Sequence, residues 1–237
     1  MKDLPTVILA GGRGKRLRPI VCDIPKVMVP INGQPFLDYV LEWLTKYGIG
    51  NVYMSVGYLR ERIIEYYGDG SSIGFHIDYI TEKEPLGTGG ALKTIVDVHN
   101  FEEFILINGD SILPINLTEF YTYHHRSKAI FTMACSYQND CSNYGAIEYD
   151  NNLYLRRFSE KTYSGSGWIN GGTYLVNSDK VKKYLIRDKC SLEVDILPRM
   201  IKNKCVKAYL SDIQYFVDIG TPDSYKMAQK QLSKVIF

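Results

Sequence analysis

The residues best suited to chemistry stand in the first thirty positions. Val7-Ile8-Leu9-Ala10 runs into Gly11-Gly12-Arg13-Gly14-Lys15-Arg16-Leu17-Arg18-Pro19, and Pro25-Lys26-Val27-Met28-Val29-Pro30 follows. A short apolar run that feeds a glycine-rich turn presents free backbone N–H groups to an anion. Arg13, Lys15, Arg16 and Arg18 bring four cations within six residues. That is the charge a polyphosphate requires, so the pattern limits the ligand to something like a nucleoside triphosphate.

Two look-alikes are excluded. The phosphate loop G-x-x-x-x-G-K-[ST] needs a hydroxyl after the lysine, but Gly14-Lys15 is followed by Arg16 and Leu9 stands five before Gly14. The dinucleotide pattern G-x-G-x-x-G fails because Leu17 stands where the third glycine belongs. A plain strand-to-helix turn would not need Arg16, Lys26 and two flanking prolines together.

The elements that must position these groups alternate. Thr6–Ala10 reads as a buried strand, Pro35–Tyr47 as a helix with Phe36, Tyr39, Val40, Trp43 and Leu44 on one face, and Val52–Val56 as the next strand. Leu59–Tyr67 reads as a helix closed by Gly68, Phe75–Ile80 as a strand, Gly89–Val98 as a helix, and Phe104–Ile107 as a strand ending at Asn108-Gly109-Asp110. A helix at Leu117–His125 and a strand at Ala129–Ser136 follow. The second half carries more β signal, at Tyr144–Tyr149, Leu153–Phe158, Gly172–Val176, Val206–Leu210 and Tyr215–Val217, with helices at Ser178–Tyr184, Val194–Lys202 and Pro222–Lys234. Such alternation predicts a layered α/β fold around a largely parallel sheet.

In open α/β sheets ligands bind at the carboxyl ends of strands. Arg16 follows the first strand, Glu82-Lys83-Glu84-Pro85-Leu86-Gly87-Thr88-Gly89-Gly90 the third, Asp110 the fourth, and Asp218-Ile219-Gly220-Thr221-Pro222 stands near the end of the chain. Two strand-end carboxylates beside a phosphate turn suit Mg²⁺, which takes one or two carboxylates and fills its other positions with phosphate oxygens and water. Either aspartate alone reads more readily as a helix N-cap.

Composition sets outer bounds. A chain of 237 residues with 45% hydrophobic content makes one domain with a real core. We expect a nucleotide-binding half at about 1–115, which carries the glycine turn, and a second half at about 116–237. A net charge of +2, from 28 basic and 26 acidic residues, makes the cations local and argues against nucleic acid as a partner. No apolar run reaches the length of a membrane span, and Met1-Lys2-Asp3-Leu4-Pro5 lacks the apolar stretch of a signal peptide. The five cysteines, Cys22, Cys135, Cys141, Cys190 and Cys205, are odd in number and never spaced C-x-x-C, which fits a reducing cytoplasm. The 19 tyrosines are spread along the chain as core or rim residues.

The motifs L-A-G-G-x-G-x-R-L-x-P and P-K-x-M-x-P strongly resemble the sugar-1-phosphate nucleotidylyltransferases. The resemblance extends through L-G-T-G-G-A, N-G-D, E-K, N-G-G, S-L-E-x-D-I-L-P and D-I-G-T-P-x-x-Y, in order, over nearly the whole chain. It implies a Rossmann-like three-layer nucleotidyltransferase fold with a mostly parallel mixed sheet and a β-rich sugar-binding portion. It implies transfer of a nucleotidyl group from a nucleoside triphosphate to a sugar 1-phosphate with Mg²⁺. Carried over by position, Leu9, Ala10, Gly11 and Gly12 meet the nucleotide, and Arg16 and Lys26 neutralise the triphosphate. Glu82, Gly87 and Thr88 lie beside base and ribose. Asp110 and Asp218 bind the metal, with Arg16, Lys26 and Asp110 as the catalytic set. Asn108, Gly145, Glu160, Asn170, Gly171 and Glu193 face the sugar, and Lys161 grips its phosphate.

Glu82-x-Glu84-Pro85-Leu86-Gly87-Thr88 looks more like the guanylyltransferase branch than the uridylyl or thymidylyl branch. The chemistry leans the same way. Guanine offers N–H donors at N1 and N2 to a carboxylate, whereas uracil and thymine flank one N–H with two carbonyls. A mispaired buried carboxylate costs about 1–3 kcal/mol. The residues look most like the D-glycero-α-D-manno-heptose 1-phosphate guanylyltransferases. Alternatives stay open at this point: a UTP- or dTTP-dependent hexose or amino-sugar 1-phosphate enzyme, and a catalytically silent nucleotide-sugar sensor. A molybdenum-cofactor guanylyltransferase shares the L-A-G-G start but departs at Leu17-Arg18-Pro19.

Overall fold

The computed structural model describes residues 1–14, 16–17, 23–160, 164–213 and 215–232. The chain forms two compact units, each drawn from separated stretches: residues 1–85, 107–112 and 217–237 make the first, and residues 86–106 and 113–216 the second.

The first unit begins with β1 (Thr6–Leu9), a 3₁₀ turn at Lys26–Met28, and the short hairpin of β2 (Pro30–Ile31) and β3 (Gln34–Pro35). α1 (Phe36–Thr45), β4 (Asn51–Val56), α2 (Arg60–Tyr67) and β5 (His76–Thr81) follow. β1 pairs in parallel with β4, and β4 with β5. Parallel neighbours need a crossover, which α1 and α2 supply. α1 buries Phe36, Leu37, Tyr39, Val40, Leu41, Trp43 and Leu44. Helix α2 stops where Gly68 takes φ 54°, a conformation open to glycine. The Tyr67 hydroxyl donates to Asp38 at 2.7 Å, tying α2 to α1.

In the second unit, α3 (Gly87–Val98) precedes β6 (Glu103–Asn108), whose last two residues count with the first unit. β7 (Ser111–Ile112) returns to the first unit, and α4 (Leu117–Ser127), β8 (Phe131–Gln138), β9 (Gly145–Tyr149), β10 (Leu155–Glu160) and β11 (Gly167–Asn177) belong to the second. After α5 (Ser178–Val181), a π-helical turn at Leu192–Ile196 leads into α6 (Leu197–Lys202) and β12 (Val206–Leu210). The chain then re-enters the first unit as β13 (Val217–Asp218) and α7 (Pro222–Leu232). β8 pairs antiparallel with β11 and parallel with β12, and β9 runs antiparallel to both β10 and β11.

Several elements differ from the sequence expectation, and the helix expected at Ser178–Tyr184 is α5 followed by a 3₁₀ turn at Lys182–Tyr184. Pro198 has no N–H to give the carbonyl of Val194, so the expected helix at Val194–Lys202 splits into a π turn and α6. The strand expected at Gly172–Val176 extends back to Gly167. A register shift between Asn170 and Tyr174, with Gly172 at φ 72°, interrupts the alternation that sequence reading relies on. Near the end of the chain the strand is Val217–Asp218, without Tyr215 and Phe216.

His124 is buried on α4, and its Nδ1 lies 2.6 Å from Thr132 Oγ1 on β8. Burial lowers its imidazole to about 4 against Glu103, which opposes the shift, while His125 and Lys180 add to it. Unfolded, the ring takes a proton near 6.5. Between these values the unfolded chain binds more protons, so stability is full above the window and falls as pH drops through it. The loss reaches about 3 kcal/mol. Urea midpoints at pH 7 and pH 5 should therefore fall further for the wild type than for His124→Gln, and equal falls would exclude this source.

Candidate active site

Three strand ends of the first unit meet. Ala10 N–H donates to Ser55 O at 2.8 Å, fixing the exit of β1 against β4. A Cβ added to Gly57 would stand 3.2 Å from Gly11 O, and one added to Gly11 would stand 3.2 Å from Glu82 Oε1. Ser55 Oγ donates to the same Glu82 oxygen at 3.2 Å. The Glu82 carboxylate is therefore half-buried against the glycine turn, whereas Glu84 is exposed. Gly12 is exposed with open space beside it. Sequence reading missed Ser55 and Gly57, which carry no motif and matter only through the strand register.

The charged groups gather at the exits of β6 and β13. Lys26 Nζ is ion-paired with Asp110 Oδ2. Two glycines admit the lysine segment: a Cβ on Gly14 would stand 3.2 Å from Lys26 Cβ, and one on Gly109 would stand 3.0 Å from Val27 Cγ1. Ile219 N–H donates to Asp110 O at 3.0 Å, and Asp218 pairs in register with Ser111. Asp218 Oδ2 accepts from Gly220 N–H at 2.8 Å and from Ser224 Oγ at 3.3 Å. A Cβ on Gly220 would stand 2.7 Å from Asp218 Oδ2, 3.7 Å from Arg16 Nη2 and 3.9 Å from Lys26 Nζ, so the three groups converge on one point.

Their electrostatics differ. Burial pushes the Asp218 carboxyl above the usual carboxylate range, and the neighbouring Asp110 adds to it. For Asp110 desolvation acts upward too, but the charge and hydrogen bond of Lys26, helped by Arg16, bring it below its ordinary value. Mutual repulsion of two desolvated carboxylates is the condition a divalent cation relieves. The donor set thus fits Mg²⁺ with its remaining positions on phosphate and water. Among the described residues no group of three or more His, Cys, Asp or Glu side chains forms a closed metal cage. Asn108 Oδ1, at the end of β6, is buried without a hydrogen-bond partner among the described residues.

The other predicted residues lie in the second unit. Thr88 and Glu193, expected to touch nucleotide and sugar respectively, hydrogen-bond to each other at 2.7 Å. Gly89 N–H and Gly90 N–H donate to Cys190 O at 3.0 and 3.2 Å, so the protein itself caps the start of α3. Gly87 takes φ 77°, and a Cβ there would stand 2.5 Å from Cys190 O. Asn170 donates from Nδ2 to Tyr174 Oη at 2.6 Å and accepts Gly172 N–H at 3.0 Å. A Cβ on Gly171 would stand 2.5 Å from Leu113 Cδ2, and one on Gly145 would stand 2.4 Å from the Phe158 ring. Glu160 ends β10. Lys161 and Cys22 lie outside the described residues.

A family model described as nucleotidyl transferase matches residues 5–235. The chain belongs to that family. This nucleotidyltransferase is 38% identical, over 98% of its length and 100% of the relative's, to a D-glycero-alpha-D-manno-heptose 1-phosphate guanylyltransferase of Aneurinibacillus thermoaerophilus. It is 38% identical to an enzyme of the same name from Campylobacter jejuni, over 94% of this chain and 97% of that one. A crystal structure of HddC from Yersinia pseudotuberculosis aligns with a TM-score of 0.86 and 33% identity, covering 97% of this chain and 99% of that one. HddC has also been solved complexed with GMP-PN. The family and this alignment bear out the mixed α/β fold with a mostly parallel central sheet. No helix among the described residues is long and apolar enough to cross a membrane.

Gly220 gives a direct check on the convergence. Its backbone φ lies outside the left-handed region, so alanine fits the backbone, but its methyl enters the space between Asp218, Arg16 and Lys26. The methyl forces the Asp218 carboxylate aside, so Gly220→Ala should still fold cooperatively, with a lowered melting temperature, while nucleotidyl transfer drops at least tenfold, by analogy with displaced preorganised charge. Unchanged turnover would mean that the point of convergence is idle.

Proposed function

We propose that this nucleotidyltransferase transfers GMP from GTP to a sugar 1-phosphate, releasing pyrophosphate, and that the sugar is D-glycero-α-D-manno-heptose. The observation that carries the reaction class is the convergence of Arg16, Lys26 and Asp218 on Gly220 with Asp110 held by Lys26. Guanine is favoured by the Glu82 carboxylate beside Gly11, where it suits the N1 and N2 donors of the base. The heptose rests on the 38% full-length relatives.

The chemistry follows from charge. A phosphate oxygen of the sugar 1-phosphate forms a bond to the α-phosphorus of GTP. The α–β bridging P–O bond breaks, and its electron pair leaves with pyrophosphate. The nucleophile is an anion at neutral pH, so no side chain has to remove a proton. The barrier is the approach of two polyanions. Arg16 and Lys26 lower it by facing the phosphates, and Lys161 serves the sugar phosphate. Asp110 and Asp218 would hold Mg²⁺, which supplies further charge neutralisation when bound. Gly11 and Gly12 let the nucleotide approach the backbone, with Leu9 and Ala10 lining its course. Asn108, Gly145, Glu160, Asn170, Gly171 and Glu193 serve the sugar.

Pyrophosphate release with Mg²⁺ should be strong for GTP with the heptose 1-phosphate. It should be weak for UTP, dTTP and CTP and for mannose, glucose and N-acetylmuramate 1-phosphates. Release with UTP or dTTP would remove the base assignment and leave the reaction class. Arg16→Ala should lower kcat by about 10²–10³ with little change in KM, as when a preorganised donor to transition-state charge is lost. A change confined to KM would overturn that role.

A further inference from the structure

Every donor direction around Glu193 is determined. Thr88 Oγ1 accepts Leu192 N–H at 2.9 Å, so its single proton points to Glu193 Oε2 at 2.7 Å. Ser191 Oγ accepts Glu193 N–H and Val194 N–H, each at 3.2 Å, and donates to the same Oε2 at 2.8 Å. Two hydroxyl protons therefore converge on one carboxylate oxygen, and both hydroxyls are themselves fixed by backbone donors. Glu193 Oε1 has no hydrogen-bond partner among the described residues, and the side chain is half-exposed. Glutamate side chains on a surface ordinarily sample several rotamers. Here one oxygen is anchored and the other is left as an oriented acceptor.

The anchoring is built into the local chain. Ser191 caps the π-helical turn that contains Glu193, and Asp195 Oδ2 accepts Ser191 N–H at 2.8 Å. Thr88 sits in the first turn of α3, held against Cys190 by the close approach at Gly87 and Gly89. The L-G-T-G-G and S-L-E-x-D segments, about a hundred residues apart in sequence, thus form one hydrogen-bonded cluster.

We infer that Thr88 and Ser191 are positioning residues that hold Glu193 so that its Oε1 accepts a hydrogen bond from a hydroxyl of the sugar 1-phosphate. The inference rests on the sugar 1-phosphate reading above. It moves Thr88 from the nucleotide, where family resemblance puts it, to the sugar. A carboxylate with one anchored oxygen accepts from a neutral hydroxyl and repels an anionic group, so the group it recognises is a ring or side-chain hydroxyl and not the phosphate.

Steady-state kinetics of wild type, Thr88→Val, Thr88→Ser, Ser191→Ala and Glu193→Ala test it, varying each substrate in turn. Thr88→Val and Ser191→Ala should raise KM for the sugar 1-phosphate about tenfold, the loss expected when a charged acceptor is left unheld, with KM for the nucleotide within twofold. Thr88→Ser keeps the hydroxyl and should restore the wild-type KM. Adding Thr88→Val to Glu193→Ala should give no further rise, because Thr88 acts through Glu193. A rise in nucleotide KM for Thr88→Val, or a further loss in the double variant, would overturn the inference while an active wild type preserves the function. A wild type that releases no pyrophosphate with any sugar 1-phosphate would overturn the functional reading and this inference with it.

Discussion

The ion pair between Lys26 and Asp110 is the contact on which the first unit's site depends. A half-buried pair contributes only when both partners are held in place, because desolvating two charges costs several kcal/mol per ion. Here the chain supplies that hold from both sides. Lys26 stands on a 3₁₀ turn entered from Pro25, with Val27 buried beneath it. Asp110 is separated from the end of β6 by Gly109, and its carbonyl receives the N–H of Ile219. That backbone bond and the pairing of β13 with β7 bring Asp218 to the same place. The two carboxylates are thus placed by the backbone, and Lys26 and Arg16 stand beside them.

The second unit solves a different problem. Two of its predicted sugar-facing side chains, Asn170 and Glu193, are each hydrogen-bonded to neighbours in the protein. Asn170 braces a bulge, Glu193 is gripped through one oxygen, and Gly145 and Gly171 make room for Phe158 and Leu113. Rigidity of this kind removes conformational freedom ahead of binding, which is how polar groups on irregular strands come to discriminate among hydroxyl patterns.

Much of this was legible in the sequence. The glycine turn, Lys26, Asp110 and Asp218 stand out in the sequence because each belongs to a dense motif, and the structure brings Lys26, Asp110 and Asp218 together. The succession of strands at Val52–Val56 and Phe75–Ile80 with the helical stripe of Phe36–Leu44 predicts the parallel layer. What escaped notice depends on partners far away in the chain. The two-residue pairing of Ser111–Ile112 with Val217–Asp218 is too short to leave a period. The Asn170 bulge hides alternation by inserting residues into it. Glu82 and Glu84 carry equal sequence signal, and only the register of β5 beside β4 puts the first against Gly11. The meeting of Thr88 with Glu193 leaves no local trace, since each residue on its own reads as an ordinary polar side chain.

The glycines at the start of α3 have a diagnostic consequence. An alanine Cβ at Gly90 would stand 2.2 Å from Asp188 O, and one at Gly89 would stand 2.8 Å from Cys190 Sγ, whether or not a substrate is bound. The L-G-T-G-G signature is thus demanded by the architecture, independently of turnover. A relative that had decayed into a silent sensor would be free to lose Arg16 or Asp218, yet would still carry those glycines in order to fold. Activity in an unfamiliar relative should therefore be judged by its charges. The glycines, although they catch the eye first, report only that the scaffold has survived.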